Sequence, residues 1–211
     1  MKHTPIEKPI RKLGRQFKRL EHIEEEPTTR KIVRESVKIL ILSSIISSVG
    51  GVSLEAVRTK LIAFVPLLIL VPAMNEMIGG FGAVISSRFT TMLYLRKVRR
   101  AEWWRFTEVQ RLFIDVIGTA FIVSIFMVVL SYFIGVIKGF PFSLNLLLQL
   151  IGVTMAATLV LVMIIFFISV IGGLYVHKHG HDPDNYLIPL ATGIADLGSM
   201  LVLAGVLHWF F

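Results

Sequence analysis

Five long apolar segments, separated by short charged stretches, constrain this chain more than any other feature. A transmembrane helix needs about 20 mainly apolar residues, and each segment is long enough. Only 17% of the 211 residues are charged and the mean hydropathy is +0.74, so much of the surface has to face lipid. We therefore predict an all-α, polytopic membrane protein with five transmembrane helices. The predicted spans are Val37–Val57, Leu61–Ser87, Phe106–Ile137, Phe142–Val176 and Tyr186–Phe211.

The positions of the charges indicate a lipid partner and an orientation. The net charge of +8 is compatible with a nucleic acid or an anionic membrane surface, but the basic residues flank the apolar segments. We therefore expect a lipid bilayer and no nucleic acid as partner. Only Arg58, Lys60 and Lys138 of the 22 basic residues lie on one side of the predicted spans. By the positive-inside rule, the chain is a multi-pass protein of the cell membrane with a cytoplasmic N-terminus and an extracellular C-terminus.

The N-terminal tail, residues 1–35, has its own pattern. Apolar residues recur at steps of three and four, with basic residues between them, which predicts a short amphipathic cytoplasmic helix. These apolar residues are Ile6, Ile10, Leu13, Phe17 and Leu20. The helix either lies on the anionic inner leaflet or packs on another cytoplasmic helix. No signal peptide precedes the first span, so we expect a tail at 1–35 and a five-helix transport domain at 36–211.

Several kinds of chemistry are excluded or weakly indicated. The chain has no cysteine, which excludes disulfides, thiolate metal sites and cysteine nucleophiles. His177, His179 and His181, followed by Asp182 and Asp184, either chelate a borderline metal such as zinc or form a solvated turn that caps the fifth helix. No HExxH or comparable catalytic pattern accompanies them. We therefore predict that the protein is not an enzyme.

Asp196 lies near the middle of the fifth span, which contains no basic residue. A carboxylate inside a membrane is costly and predicts a functional site. Thr192 and Ser199 stand four residues before and three residues after it, so a helix places all three on one stripe. Mg2+ prefers oxygen ligands and sheds its water reluctantly, and such a stripe would suit it. The alternative is a protonated Asp196 that is hydrogen bonded between helices.

A second candidate site lies in the second span. Asn75 and Glu76 follow Pro72 and precede a glycine cluster that begins at Gly79. This order predicts an interrupted helix, and broken spans often mark ion sites. Freed backbone carbonyls would then join Asn75 and Glu76 in binding the cation. The alternative is an ion pair between Glu76 and Arg88.

Two segments of the chain form distinctive motifs. The first is Asp182-Pro183-Asp184-Asn185, then Pro189 and Asp196-Leu197. The second is Gly79-Gly80-Phe81-Gly82 with Ser87-Arg88 and Thr90-Thr91. They resemble the last span and the second helix, respectively, of the MgtE-type magnesium transporters and their eukaryotic solute-carrier relatives. Many relatives have asparagine where Gly80 stands here. The resemblance extends from Val37 to the C-terminus.

The resemblance implies a function and an assembly. Asp196 aligns with the pore carboxylate of the family, which implies a transporter or channel for divalent cations, with Mg2+ as the expected ion. The short tail implies a half-size branch, archaeal or solute-carrier-like, without the cytoplasmic regulatory domains. One five-helix unit implies a homodimer with the pore between the subunits. The expected metal-site residues are Asp196, Thr192, Asn75, Glu76 and Ser199. A cation exchanger coupled to Na+ or H+, or a non-transporting membrane scaffold, remains the alternative.

Overall fold

The computed structural model describes residues 27–95, 98 and 100–210 of the chain. In this part of the chain all regular structure is helical. In chain order it consists of α1 (Pro27–Ala56), α2 (Arg58–Ala63), α3 (Val65–Tyr94), a 3-10 helix (Arg100–Arg105), α4 (Thr107–Ile137), α5 (Leu144–Lys178) and α6 (Pro183–Phe210). The predicted amphipathic helix in the tail lies outside the described residues.

Five of these helices are long and apolar enough to cross a membrane, which confirms the all-α, five-span fold. The spans are Glu35–Ala56, Val65–Tyr94, Thr107–Ile137, Leu144–Lys178 and Pro183–His208. α5 has 35 residues, so it extends about 50 Å at 1.5 Å per residue. Because the hydrocarbon core is about 30 Å thick, α5 has to tilt or project beyond it.

The prediction of an interrupted second span was wrong in its position. α3 is helical without a break from Val65 to Tyr94, and Pro72 lies inside it. Pro72 is exposed on the outer side of α3, and its missing N–H does not interrupt the helix. The break comes earlier, at Phe64, whose backbone angles are not helical. Pro66 then occupies the first turn of α3, which is a favoured position for proline.

α3, α4, α5 and α6 pack on one another as a bundle, and α1 lies along the outside of α6. The buried residues of α3 recur at helical spacing on the side that faces the bundle. Examples with no exposed surface are Met74, Ile78, Ile85 and Phe89. α1 buries far less of itself, and most of its large apolar side chains are exposed, as expected for a helix in contact with lipid.

The directions of the helices follow from their contacts. Glu35 at the start of α1 contacts His181, just before α6, and Ser47 further along α1 contacts Asp196 further along α6. α1 and α6 therefore run in the same direction. Asn75 contacts Ser199, whereas Gly82 lies against Ala191, so α3 runs in the opposite direction. This alternation brings the start of α1, the end of α3 and the start of α6 to one end of the bundle.

The connection between α4 and α5 is held by one buried phenol. Tyr132 is 2% exposed, and its hydroxyl accepts a hydrogen bond of 2.8 Å from the backbone N–H of Ser143. The same hydroxyl donates to the Ser143 carbonyl oxygen at 3.0 Å. Gly139 in this connection has φ of +93°, a conformation that side chains other than glycine rarely adopt. α4 and α5 are thus joined by a tight turn that the hydrogen bonds of Tyr132 hold in place.

Candidate metal-ion site in the membrane

Asp196 lies close to the middle of its span, about 20 Å along the helix axis from Pro183. The hydroxyl of Ser47 on α1 donates a hydrogen bond of 2.9 Å to Oδ2 of Asp196. Within the part of the chain that the structure describes, the other carboxylate oxygen, Oδ1, makes no hydrogen bond and no basic side chain pairs with the carboxylate. The side chain is half-buried. One oxygen is therefore oriented by the protein, and the other is free to bind water or a cation.

A close approach of α1 and α6 positions this hydrogen bond. An added Cβ at Gly193 would lie 2.5 Å from Ser43 Oγ and 3.0 Å from Ser43 Cα. The Ser43 hydroxyl donates to the Pro189 carbonyl oxygen at 2.6 Å. On the other side of Ser47, an added Cβ at Gly50 would lie 3.0 Å from Leu197 Cα. Small residues thus let the two backbones meet on both sides of Asp196, as is common between membrane helices.

The third residue of the predicted stripe, Ser199, faces α3 rather than α1. Its hydroxyl is completely buried and donates to Oδ1 of Asn75. The same hydroxyl lies 2.7 Å from the carbonyl oxygen of Ala195 and 3.1 Å from that of Asp196. Since a hydroxyl has only one proton, these acceptors share it. Asn75 and Ser199 therefore link α3 to α6 directly behind Asp196.

Thr192 marks the crossing of α6 over the glycine cluster of α3. A Cβ added to Gly79 would be 3.7 Å from the Thr192 methyl carbon and 3.8 Å from its hydroxyl oxygen. Thr192 is exposed, and its hydroxyl donates to the carbonyl oxygen of Ile188 at 3.1 Å. Both lone pairs of the Thr192 oxygen remain available, because the backbone bond uses the proton alone. Thr192 thus presents an oxygen on the same side of α6 as Asp196.

Glu76 occupies the outer side of α3. It is exposed, as are Pro72 and Gly80, which stand one turn before and one turn after it. The alternative of an ion pair between Glu76 and Arg88 is excluded, because twelve residues of continuous helix separate them by about 18 Å. Since α3 is helical through the glycine cluster, the backbone carbonyls there are not freed. Pro72, which has no N–H, leaves the carbonyl oxygen of Leu68 without its usual helical donor. Glu76 is thus a second carboxylate at membrane depth on the surface of the single chain.

The described residues of one copy do not form a metal site built from several histidine or acidic ligands. Among the described residues, no group of three or more histidine, aspartate or glutamate side chains is close enough to share a metal ion. Near Asp196, Ser47 and Thr192 carry hydroxyl oxygens, whereas Ser199 and Asn75 are bonded to each other on the side of α3. Neutral oxygens are groups with which a hydrated hard cation can interact through its own water molecules.

The three histidines at the end of α5 and in the turn that follows it contact different partners. His177 contacts the ring of Tyr94, with ring centroids 5.3 Å apart, and His179 Nδ1 lies 2.8 Å from the carbonyl oxygen of Tyr175. His181 Nδ1 lies 2.8 Å from Oε1 of Glu35. The histidines therefore do not converge on one metal ion, and the alternative of a structured turn before α6 fits the contacts better.

Sequence reasoning missed Ser47, the residue that contacts Asp196 most directly. Ser43, Ser44, Ser47 and Ser48 are chemically equivalent in the sequence, and nothing local distinguishes one from another. Helical spacing does contain a signal, because Ser43, Ser47 and Gly50 share one stripe of α1. That stripe becomes informative only when its partner is known to be α6.

Comparisons with known proteins identify the family of the chain. No curated protein sequence gives a significant match to the chain. A sequence profile for MgtE, described as a divalent cation transporter, matches residues 71–206, which include α3 from its second turn onward, α4, α5 and nearly all of α6. Asn75, Glu76, Thr192, Asp196 and Ser199 all lie within the match. The chain therefore belongs to the MgtE family of divalent cation transporters.

Proposed function

We propose that this protein transports Mg2+ and that Asp196 binds the hydrated ion in the membrane. The observation that carries the proposal is the Asp196 carboxylate itself, at mid-span, with Oδ2 held by Ser47 and no basic partner among the described residues. An unpaired carboxylate at this depth is costly unless a cation or water compensates for its charge. Mg2+ that keeps its water shell needs only one or two carboxylates and neutral oxygens, which this site provides.

We further propose that two copies of the chain form the passage between them. In one copy, Glu76 is exposed on α3, and Thr192 and part of Asp196 are reachable from outside on α6. These polar groups would face acyl chains if the protein were monomeric, and lipid cannot satisfy them. A second copy against the same face would cover them and would place two Asp196 side chains on one pathway. An isologous dimer has this self-complementary geometry.

The electrical potential across the membrane is sufficient to drive uptake. Each elementary charge gains about 2.3 kcal/mol across about 100 mV, and a divalent cation gains about twice that. We propose the orientation with a cytoplasmic N-terminus, which follows from the distribution of basic residues, and inward flow follows from the potential. Exchange against Na+ or H+ is the second candidate mechanism, because an intramembrane carboxylate also binds those ions.

The decisive experiment is Mg2+ uptake into liposomes that contain the purified protein. We expect uptake by the wild type and loss of nearly all uptake in Asp196→Asn, which keeps the shape of the side chain but removes its charge. Asp115→Asn is the matched control, because Asp115 is exposed on α4 and its side chain makes no hydrogen bond or ion pair with any described residue. Equal uptake by the wild type and Asp196→Asn would refute the proposed site.

Imposed gradients separate the remaining mechanisms. A passive pathway responds to membrane potential and needs no counter-ion gradient. A coupled exchanger requires an opposing gradient of Na+ or H+ for sustained uptake. A scaffold gives no flux under either condition, and Asp196→Asn then has no effect on any measured flux.

A further inference from the structure

A buried carboxylate joins α1 to the start of α6, about 18 Å along α1 from Ser47. The side chain of Glu35, near the start of α1, is 7% exposed. Its Oε1 lies 2.8 Å from Nδ1 of His181, and its Oε2 accepts a hydrogen bond of 3.3 Å from the side-chain amide of Asn185. Both carboxylate oxygens therefore have partners in the segment that leads into α6. We call Glu35, His181 and Asn185 the α1 clasp.

The α1 clasp belongs to a continuous line of polar contacts between α1 and α6. Beyond it, Ser43 donates to the carbonyl oxygen of Pro189, and Ser47 donates to Asp196. In all of these contacts the partners are 146 to 150 positions apart in the chain, so the two helices keep one register from the clasp to the ion site. α1 is helical without a break from Pro27 to Ala56. A shift of α1 at the clasp is therefore transmitted to Ser47.

Polar contacts have a large share in holding α1. Most of its large apolar side chains are exposed, and it packs mainly on α6. Lipid is as apolar as the side chains that it contacts, so close packing and hydrogen bonds determine how two membrane helices lie together. A buried carboxylate also favours the docked position, because it is costly to bury away from its hydrogen-bond partners. The clasp therefore contributes to the position of the whole helix.

His181 makes the strength of the clasp depend on pH. Imidazole changes its charge between about pH 5 and pH 8, and the His181 side chain is 45% exposed, so protons reach it from solvent. Protonated His181 donates to Glu35 in a charge-assisted bond, which is about twice as strong as a neutral one. Neutral His181 donates from Nδ1 in only one of its two tautomers. The contact is therefore strongest when His181 is protonated and weakens as the pH rises through its titration.

Other titratable groups lie on the adjoining helix ends, but they have different contacts. On the ends of α3, α5 and α6 they are Tyr94, His177, Lys178, His179, Asp182 and Asp184. His177 contacts the ring of Tyr94, and His179 Nδ1 lies against the carbonyl oxygen of Tyr175. Lys38 on α1 is exposed, and the ring of Tyr186 packs on His181 with ring centroids 5.5 Å apart. Within the described part of the chain, His181 is the imidazole in contact with Glu35.

We propose that the α1 clasp is proton-sensitive and positions α1 on α6, so that protonation of His181 tightens the contact of Ser47 with Asp196 and raises its affinity for the cation. Glu35 and His181 are positioning residues, since they act on the ion through Ser47. The effect on affinity rests on the proposed function, whereas the movement of α1 does not. The sign is distinctive, because protons that compete with a cation for a carboxylate weaken binding as the pH falls, whereas the clasp strengthens it.

Thiol labelling of the purified full-length protein in detergent measures the position of α1 without any ion. Ser43 is 8% exposed against α6, and Ser44 beside it is exposed. We compare the rates at which Ser43→Cys and Ser44→Cys react with N-ethylmaleimide, since their ratio cancels the general effect of pH on thiols. We expect the ratio to rise several-fold from about pH 6 to about pH 8. With His181→Asn added, it should stay constant, because the asparagine amide donates to Glu35 without titrating.

Mg2+ uptake into liposomes with equal pH on both sides measures the effect on affinity. We expect the half-saturating Mg2+ concentration of the wild type, relative to that of His181→Asn, to rise about three- to tenfold between about pH 6 and about pH 8. Glu35→Gln, which keeps the shape of the side chain without its charge, should remove the same pH dependence. His179→Asn is the matched control and should behave as the wild type does, because His179 contacts the backbone of its own helix.

Two results would overturn the clasp. The first is a labelling ratio that is independent of pH, or that changes equally in the wild type and His181→Asn. The second is a pH dependence of Mg2+ affinity that both variants share with the wild type. If Glu35→Gln loses its helical circular dichroism, His181→Asn, at a largely exposed side chain, alone decides. Failure of the proposed function looks different, because Asp196→Asn then transports Mg2+ as the wild type does while the labelling ratio still depends on His181.

Discussion

The hydroxyl of Ser47 donates a hydrogen bond of 2.9 Å to Oδ2 of Asp196, although 149 positions separate the two residues in the chain. This bond joins the first and last transmembrane helices at the depth of the candidate ion site. It fixes which carboxylate oxygen is occupied and which one is available to a cation. The position of α1 on α6 therefore determines the orientation of Asp196.

Ser47→Ala should weaken cation binding without unfolding the protein. A hydrogen bond to a charged group contributes about 1.5 to 3 kcal/mol, and its loss frees the carboxylate to rotate. We expect Mg2+ uptake in liposomes to require a roughly tenfold higher Mg2+ concentration, with a smaller loss than in Asp196→Asn. Ser47→Thr should retain much of the wild-type affinity for Mg2+, because threonine keeps the hydroxyl group.

The matched control for Ser47 is Ser44→Ala. Ser44 is exposed on the same helix, and its side chain makes no hydrogen bond within the described part of the chain. The Ser44→Ala variant should therefore transport Mg2+ as the wild type does. An equal effect of Ser44→Ala and Ser47→Ala would contradict a specific role for the contact with Asp196.

Gly193→Ala should destabilise the packing of α1 on α6. The new methyl group would lie 2.5 Å from Ser43 Oγ and 3.0 Å from the Ser43 backbone, so the helices have to separate. Overpacking of this kind costs about 1 to 3 kcal/mol. We expect a lower thermal unfolding midpoint in detergent, measured by circular dichroism, together with reduced Mg2+ uptake.

Gly205→Ala is the control on the same helix, because nothing lies within 4 Å of its added Cβ. Its unfolding midpoint should match or exceed that of the wild type, since alanine favours helix more than glycine does. A midpoint for Gly193→Ala as high as that of Gly205→Ala would show that α1 does not pack on α6 as described.

Cysteine cross-linking should detect the proposed dimer. The native chain has no cysteine, so each variant carries a single thiol. Gly80 is exposed on the same side of α3 as Glu76, and a Cβ there meets nothing within 4 Å. In membranes treated with a mild oxidant, Gly80→Cys should give a disulfide-linked dimer that a reductant dissolves.

Gly152→Cys on α5 provides the comparison, because that position is equally exposed and open but lies away from α1, α3 and α6. It should remain monomeric under the same oxidation. Equal cross-linking at both positions would indicate random collision in the membrane and would argue against a specific interface along α3.

Tyr132→Phe should destabilise the connection between α4 and α5 while leaving the ion site intact. The substitution removes the acceptor for the Ser143 backbone N–H and the donor to the Ser143 carbonyl oxygen, and each such hydrogen bond contributes about 0.5 to 1.5 kcal/mol. We expect a lower thermal midpoint and an unchanged concentration dependence of uptake in the protein that remains folded. Tyr175→Phe, at an exposed phenol on α5, should leave the midpoint unchanged.

The sequence alone determined the number of membrane helices, their approximate bounds and the identity of the central carboxylate. These features depend on local properties, because a helix in lipid satisfies its own backbone and needs about 20 apolar residues regardless of its neighbours. Asp196 was recognisable for the same reason, since a charge within an apolar run is costly wherever the run packs. The family assignment, drawn from two short segments, is confirmed by the profile match over residues 71–206.

Only the tertiary structure decided which side chains meet. It placed Ser47 on Asp196, directed Ser199 to Asn75 and moved the break from the glycine cluster to Phe64. Contacts between helices depend on the rotation and spacing of each pair, which small residues such as Gly193 set by close approach. Most stripes of a membrane helix are apolar enough to face either lipid or protein, so a local pattern such as the stripe of Ser43, Ser47 and Gly50 identifies an interface only when the partner helix is known.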